Sequence, residues 1–273
     1  MYYELINHAT KSYPFLIEHT NVKYIPHFHD EIEIIFVLEG RLSITIENNS
    51  FVLESGEICI VTSGLIHNLY SYEPSKTFVM KAFPVVDLVN IQLHDAIIVP
   101  NAKCYKKLKR YILDIMAEHQ TKAPGYELSV NIGVQKIFLT ILRDMEYSLL
   151  GDHARIKQTN KSEFLNSVMA FLEQYYAEDF GLEDVANHLN YTKSYFCHHF
   201  KRITGVTFWS YYTIFRLEKS IQLMKKHPQK RYLEISERSG FKNVRSFNQA
   251  FKQYHYCTPR EYMKKYYALG EEE

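Results

Sequence analysis

The sequence predicts an α+β protein of two domains, a strand-rich barrel with a helical hairpin in front and an all-α region behind. Three observations predict it. Apolar residues alternate with period two from about residue 22 to 83, the period becomes helical from about residue 101, and the helical period persists beyond a polar stretch at 151–162. A chain of 273 residues is too long for one average domain and comfortable for two.

The strands come first. Ile32, Ile34, Phe36 and Leu38 alternate with Glu33, Ile35 and Val37, and Leu42, Ile44 and Ile46 alternate with Ser43 and Thr45. Glu47-Asn48-Asn49-Ser50 reads as a turn into Phe51-Val52-Leu53, and Gly40, Gly56 and Gly64 punctuate the series. Short strands separated by Gly and Asn turns predict a small barrel or jelly roll over about residues 15–85.

A helical hairpin follows, over about 101–150. Tyr105, Leu108, Ile112, Ile115 and Met116 fall on one stripe; Val130, Val134, Ile137, Phe138, Ile141 and Leu142 form a second after the break at Ala123-Pro124-Gly125. Such a pair either offers a dimer surface or packs on the barrel. Gly151 to Ser162 is polar without apolar periodicity and reads as the linker, which divides the chain into 1–154 and 155–273.

Charge separates the same halves. Residues 1–154 hold 13 Lys+Arg and 18 Asp+Glu, a balance of −5, and the remainder holds 19 and 13, or +6. A basic back half suits a polyanionic partner, although two domains can differ this much by chance.

The back half breaks near Gly181, Asn190, Gly205, His227-Pro228, Gly240 and Thr258-Pro259. Leu182, Val185, Ala186 and Leu189 are spaced to bury one face of a short helix, Asn190-Tyr191 turns the chain, and Thr192 is placed to cap the next helix. There Phe196, Phe200 and Ile203 point inward, leaving Ser194, Cys197, His198 and Lys201 outside. The pattern recurs: Tyr232, Ile235 and Ser236 begin a short helix, Gly240-Phe241-Lys242-Asn243 turns it, and Phe247 and Phe251 anchor a helix with Val244, Arg245, Asn248 and Gln249 outward. Phe208 to Lys226 reads as a long strut between two helix-turn-helix units, at about 180–204 and 231–256.

These stretches resemble the AraC/XylS family of bacterial transcription regulators. The likeness runs from about residue 162 to 267 through Leu182–Phe196, Phe200-Lys-Arg-Ile-Thr-Gly205, Gly240-Phe241, Ser246-Phe247, Phe251-Lys252 and Thr258-Pro259-Arg260-Glu261-Tyr262. It implies a sequence-specific regulator of double-stranded DNA, commonly an activator. Ser194, Cys197 and His198 would then face bases from the first unit, and Val244, Arg245, Asn248 and Gln249 from the second. Arg245 suits guanine, Asn248 or Gln249 adenine, and Val244 a thymine methyl. Lys201, Arg202, Ser246 and Lys252 suit phosphates. Cys197 is equally a small filler, His198 and His199 are equally plain surface or packing residues, and the stripe of Tyr211, Tyr212 and Phe215 is core. The departures lie in the second unit: Ser236, Ser239 and Tyr256 stand where the family has a small apolar residue, an apolar residue and glycine.

In the front half His27, His29 and Glu33 share one face of an extended strand, with Gly40 beyond them; Gly56 and Thr62-Ser63-Gly64-Leu65-Ile66-His67 follow. This resembles the cupin pattern, with Thr62 where proline is usual. Three His and one Glu suit a divalent transition metal, which keeps a metal-dependent enzyme or metal sensor as the alternative reading. Fusion to two DNA-reading units argues against an enzyme and for a sensory barrel; no cofactor is expected, and a metal, if any, would use His27, His29, Glu33 and His67. The candidate effector pocket comprises these four with Tyr24 and Arg41. The effector is unidentified, a sugar-like metabolite being the family's suggestion, and a ligand-independent dimeriser is the third reading.

Composition narrows the rest. A 46% apolar and 23% charged chain is of ordinary globular type, and no run of about eighteen apolar residues predicts a membrane span. Cys59, Cys104, Cys197 and Cys257 form no CxxC pair, and Met1-Tyr2-Tyr3-Glu4 opens no signal peptide. The expectation is a cytoplasmic homodimer, contacting DNA and RNA polymerase but no membrane.

Overall fold

The computed structural model describes residues 14–20, 22–47, 49–71, 74–85, 88 and 90–268. They belong to two compact units that divide between Ser162 and Glu163.

The front unit is built on antiparallel sheets. One has the order β1 (Phe15–Thr20), β8 (Lys76–Ala82), β3 (Ile32–Glu39), β6 (Ile58–Val61), β10 (Ile97–Ile98); the other runs β2 (Lys23–His27), β7 (His67–Tyr70), β4 (Arg41–Ile46), β5 (Asn49–Glu54). A small third sheet pairs β9 (Ile91–Leu93) with β11 (Tyr147–Leu149). Strands therefore continue past the expected end at residue 85. The β4–β5 hairpin is also tighter than read from sequence. Ile46 pairs with Asn49 and Thr45 with Ser50, so Asn49 and Ser50 belong to the strand. Glu47 turns the chain at φ 55°, while Asn48 lies outside the described residues.

Central position explains why β3 is buried along most of its length. Ile32, Ile34 and Phe36 join a core with Ile58, Ile60, Phe78 and Met80 on one side of the five-stranded sheet. Covering it are α1 (Tyr105–Thr121) and α2 (Tyr126–Asp144), which contribute Tyr105, Leu108, Ile112, Ile115, Val134, Ile137, Phe138 and Ile141. The apolar stripes of the hairpin thus pack on the sheet, while Leu128, Ile132 and Leu139 remain exposed on its outward side. Gly133 lets the helices approach: a Cβ there would lie 2.6 Å from Ile115 Cγ1. Glu33 stands on the other side of β3, directly opposite Lys81 on β8.

The stretch expected to be a linker is helical. α3 (Asp152–Tyr175) begins before the expected division at 154, and the chain passes between the units inside it. Its first turns are held by polar contacts rather than an apolar stripe: Gln158 Nε2 donates to Ser63 O at 2.8 Å, and Lys161 pairs with Glu47.

In the helical unit Phe164, Leu165, Val168, Met169, Phe171 and Leu172 of α3 are buried. Then come α4 (Leu182–His188), α5 (Lys193–Thr204), α6 (Phe208–Lys226), α7 (Tyr232–Arg238), α8 (Val244–His255) and α9 (Pro259–Ala268). Phe164 contacts the rings of Tyr191, Phe196, His199 and Phe200, while Leu217, Ile221 and Met224 of α6 pack with Ile235, Phe247, Phe251 and Met263. Tyr211, Tyr212 and Phe215 are buried core residues, as their spacing predicts.

Candidate nucleic-acid interface and buried histidine site

Each helix pair folds for the same local reasons. In the first, Val185 and Ala186 are buried, Asn190 turns at φ 60°, and Tyr191 N–H returns to Ala186 O at 2.8 Å. In the second, Ile235 and Ser236 are buried, Gly240 turns at φ 78°, and Phe241 N–H returns to Ser236 O at 2.9 Å. Thr192 Oγ1 accepts from Tyr195 N–H at 3.4 Å at the start of α5, and Asn243 Oδ1 accepts from Ser246 N–H at 2.8 Å at the start of α8. The serines that depart from the family pattern are accommodated by back-bonding: Ser236 Oγ donates to Leu233 O and Ser239 Oγ to Ile235 O, at 2.8 and 2.7 Å. A buried hydroxyl so satisfied avoids most of its desolvation penalty.

The second helix of each pair carries the predicted reading residues. On α5, Ser194, His198, Lys201 and Arg202 are exposed and Cys197 is half-buried. On α8, Arg245, Gln249 and Lys252 are exposed, and Val244, Ser246 and Asn248 are half-buried. Ser246 also serves the helix start, its hydroxyl donating to Asn243 O at 2.8 Å. Sequence reasoning missed a stacked ladder, Tyr191 on Tyr195 on His199, with 5.1 Å between successive rings. It also missed that Arg202 lies along its own helix, donating to His199 Nδ1 at 2.7 Å.

The front unit brings His27, His29, Glu33 and His67 together, with candidate donor atoms within 4.8 Å of one another and every side chain buried. Glu33 comes from one sheet and His67 from the other. Glu33 Oε2 is the focus: His29 Nε2 lies at 2.8 Å, His67 Nε2 at 3.2 Å and Lys81 Nζ at 3.1 Å. The far ring nitrogens face backbone carbonyls, His29 Nδ1 at 3.1 Å from Glu31 O and His67 Nδ1 at 2.8 Å from Leu65 O. Glu33 Oε1 has no hydrogen-bond partner among the described residues. Tyr24 stacks edge-on to His27, whereas Arg41 is exposed at the start of β4, opposite Glu54.

Burial sets the electrostatics, modified by the neighbours. It drives His27 well below the usual histidine range, and, with Lys81 adding to it, takes His29 down to about 4. Burial opposes ionisation of Glu33, but Lys81, His67 and the hydrogen bonds from His29 and His67 outweigh it and hold the carboxyl well below its ordinary range. Lys81 and the adjacent buried Glu31 were not read from sequence. The available signal for Lys81 was its place in Phe78-Val79-Met80-Lys81-Ala82, a lone charge inside an apolar strand.

The donor set by itself suits a divalent transition metal. The full site does not, because Lys81 brings a fixed positive charge to the one carboxylate oxygen that the histidines share.

A strand-built front unit joined to tandem helix-turn-helix pairs defines a DNA-binding transcription regulator, and comparison with known proteins agrees. A helix-turn-helix domain family matches residues 185–265 and a cupin domain family matches residues 18–80. An uncharacterised HTH-type transcriptional regulator, YdeC of Bacillus subtilis, is 24% identical over 282 residues, covering 96% of this chain and 95% of its own. The Msm operon regulatory protein of Streptococcus mutans is 22% identical over 247 residues, covering 88% and 86%. Among solved structures, ToxT from Vibrio cholerae is similar at 16% identity and a TM-score of 0.47, with 93% of this chain and 97% of that chain covered. The chain is a DNA-binding transcription regulator that carries a cupin domain ahead of an AraC-type helix-turn-helix domain. No helix among the described residues is long and apolar enough to cross a membrane.

Proposed function

We propose that the protein is an effector-responsive regulator: a cytoplasmic, non-enzymatic homodimer that activates transcription when a small molecule in the front unit changes how its reading helices are held. One observation carries the reading. A cleft of about 530 Å³ in the front unit is lined by Glu47, Phe51, Thr62, Leu65, Gln92 and Asp95 among others. Glu47 is also the partner of Lys161 on α3, the helix along which the chain leaves the unit. A ligand reaching Glu47 therefore competes with an anchor of α3, which gives it unequal affinity for two states of the protein. Carboxylates and amides beside an aromatic ring suit a polyhydroxylated metabolite such as a sugar. The two exposed helix faces would read successive major-groove segments, with RNA polymerase alongside.

The test is selection of genomic fragments by purified protein, with and without a panel of sugars, followed by melting curves with each sugar. An enriched motif of two half-sites about ten base pairs apart fits the two-unit reader. A sugar that raises the melting temperature and alters retention supports the effector reading. Strong fragment enrichment with indifference to every small molecule would leave a ligand-independent dimeric regulator.

A further inference from the structure

We propose that Lys81 is the resident cation of the buried histidine site, so that this cupin-type barrel excludes transition metals and uses an internal ion pair in their place. Lys81 and Glu33 are direct cross-strand partners on β8 and β3, and their side chains are 1% and 0% exposed. The lysine is therefore aimed at the carboxylate by strand register, not by a flexible loop. Its Nζ stands 3.1 Å from Glu33 Oε2, the oxygen that His29 Nε2 and His67 Nε2 also approach. A carboxylate oxygen has about two lone pairs to offer. On this one the two histidines are groups a metal would itself recruit, and Lys81 is the cation that stands where the metal's charge would be, with only Oε1 left unpartnered among the described residues. Metal–carboxylate bonds are about 2.0–2.2 Å long, which would set a divalent ion against the ammonium with no water between them.

Charge balance points the same way. Glu33 and Lys81 cancel, whereas adding a divalent ion would leave two uncompensated positive charges in a buried space, a costly arrangement. Glu31 is the other acidic group at the site, but its Oε2 lies 3.4 Å from His29 Nδ1, the ring nitrogen remote from the shared Glu33 oxygen. What the ion pair does instead is mechanical. It fixes Glu33, which in turn takes His67 from the opposing sheet, so the two sheets are clasped without a metal.

The experiment loads the chelator-treated full chain with Co(II), Ni(II) or Zn(II), then measures bound metal by mass spectrometry and Co(II) by its visible absorption. Wild type should retain no metal that His67→Ala removes. Lys81→Met, which keeps the length of the side chain and drops the charge, should gain about one equivalent and a rise of roughly 10- to 100-fold in affinity. Adding His67→Ala to that variant should abolish the gain. Because Lys81→Met leaves a buried carboxylate unpaired, Glu33→Gln/Lys81→Met is the companion variant; it removes both charges and keeps three imidazoles for the metal. Stoichiometric metal on wild type, lost in His67→Ala, would overturn the proposal. So would a folded Lys81→Met or paired variant that takes up no more metal than wild type.

Discussion

Gly205 and Tyr256 hold the same place in two copies of one motif. Each follows its recognition helix with a left-handed backbone, φ 74° and 55°, and each donates its N–H to a lysine carbonyl, Lys201 O and Lys252 O. Glycine adopts that conformation freely; a side chain there strains the backbone by roughly 1–2 kcal/mol.

Tyr256→Gly should therefore stabilise the protein. Relief of strain, less the extra freedom glycine gives the unfolded chain, leaves a gain of about 0.5–1 kcal/mol. Thermal melting should show a rise of a few degrees. Gly205→Ala should do the reverse, purely through the backbone, because a Cβ there meets nothing within 4 Å. A lower melting temperature for Tyr256→Gly would mean that the ring stabilises more than its backbone costs.

Arg245→Ala should weaken binding to the selected site by about 1–3 kcal/mol with little effect on random DNA. Lys201→Ala should weaken both alike and flatten the salt dependence. Anisotropy titrations at several salt concentrations separate the two roles. Equal losses on both DNAs from Arg245→Ala would reassign it to the phosphates.

Gly133→Ala is ordinarily a favourable change within a helix. Here its methyl would press into Ile115, and overpacking of about 1–3 kcal/mol should exceed the propensity gain of about 1 kcal/mol. Chemical denaturation of the variant is the check; a higher midpoint would show that Ile115 moves aside cheaply.

Acidification should destabilise the front unit. His27 and His29 bind protons less readily folded than unfolded, so their penalty is absent above the unfolded value of 6.5 and grows as pH falls, for His29 until about 4. Glu33 has the same sign at lower pH: its carboxyl is held low, so its contribution is present above the ordinary carboxylate range and is lost as pH falls through its folded value. Calorimetry at constant ionic strength should show a falling melting temperature from pH 6.5 towards 4. A flat profile over that window would contradict this account.

The legible parts of the fold were those written in apolar periodicity or turn chemistry. Alternation marked β3 and β4, the spacing of Phe196 and Phe200 and of Phe247 and Phe251 marked the two reading helices, and Thr192 marked a helix start. The first turns of α3 were illegible because Gln158 and Lys161 hold them through polar partners distant in sequence. For the same reason His27, His29 and Glu33 could be grouped by spacing, and His67 joined to them by the cupin resemblance, while Lys81 could not be placed. Its role depends on cross-strand register, which a single strand's sequence does not contain.

The contact between Arg202 and His199 has an entropic side. A free arginine on a protein surface samples many rotamers, and docking on a phosphate must select one, at a loss of up to about 2 kcal/mol of side-chain entropy. Arg202 is already drawn along α5 by the His199 ring, which burial and the guanidinium itself keep below the usual histidine range. Much of that selection happens when the protein folds rather than when it meets the duplex. If Arg202 meets a phosphate as proposed, the first unit would gain affinity from preorganisation, without any additional contact to DNA.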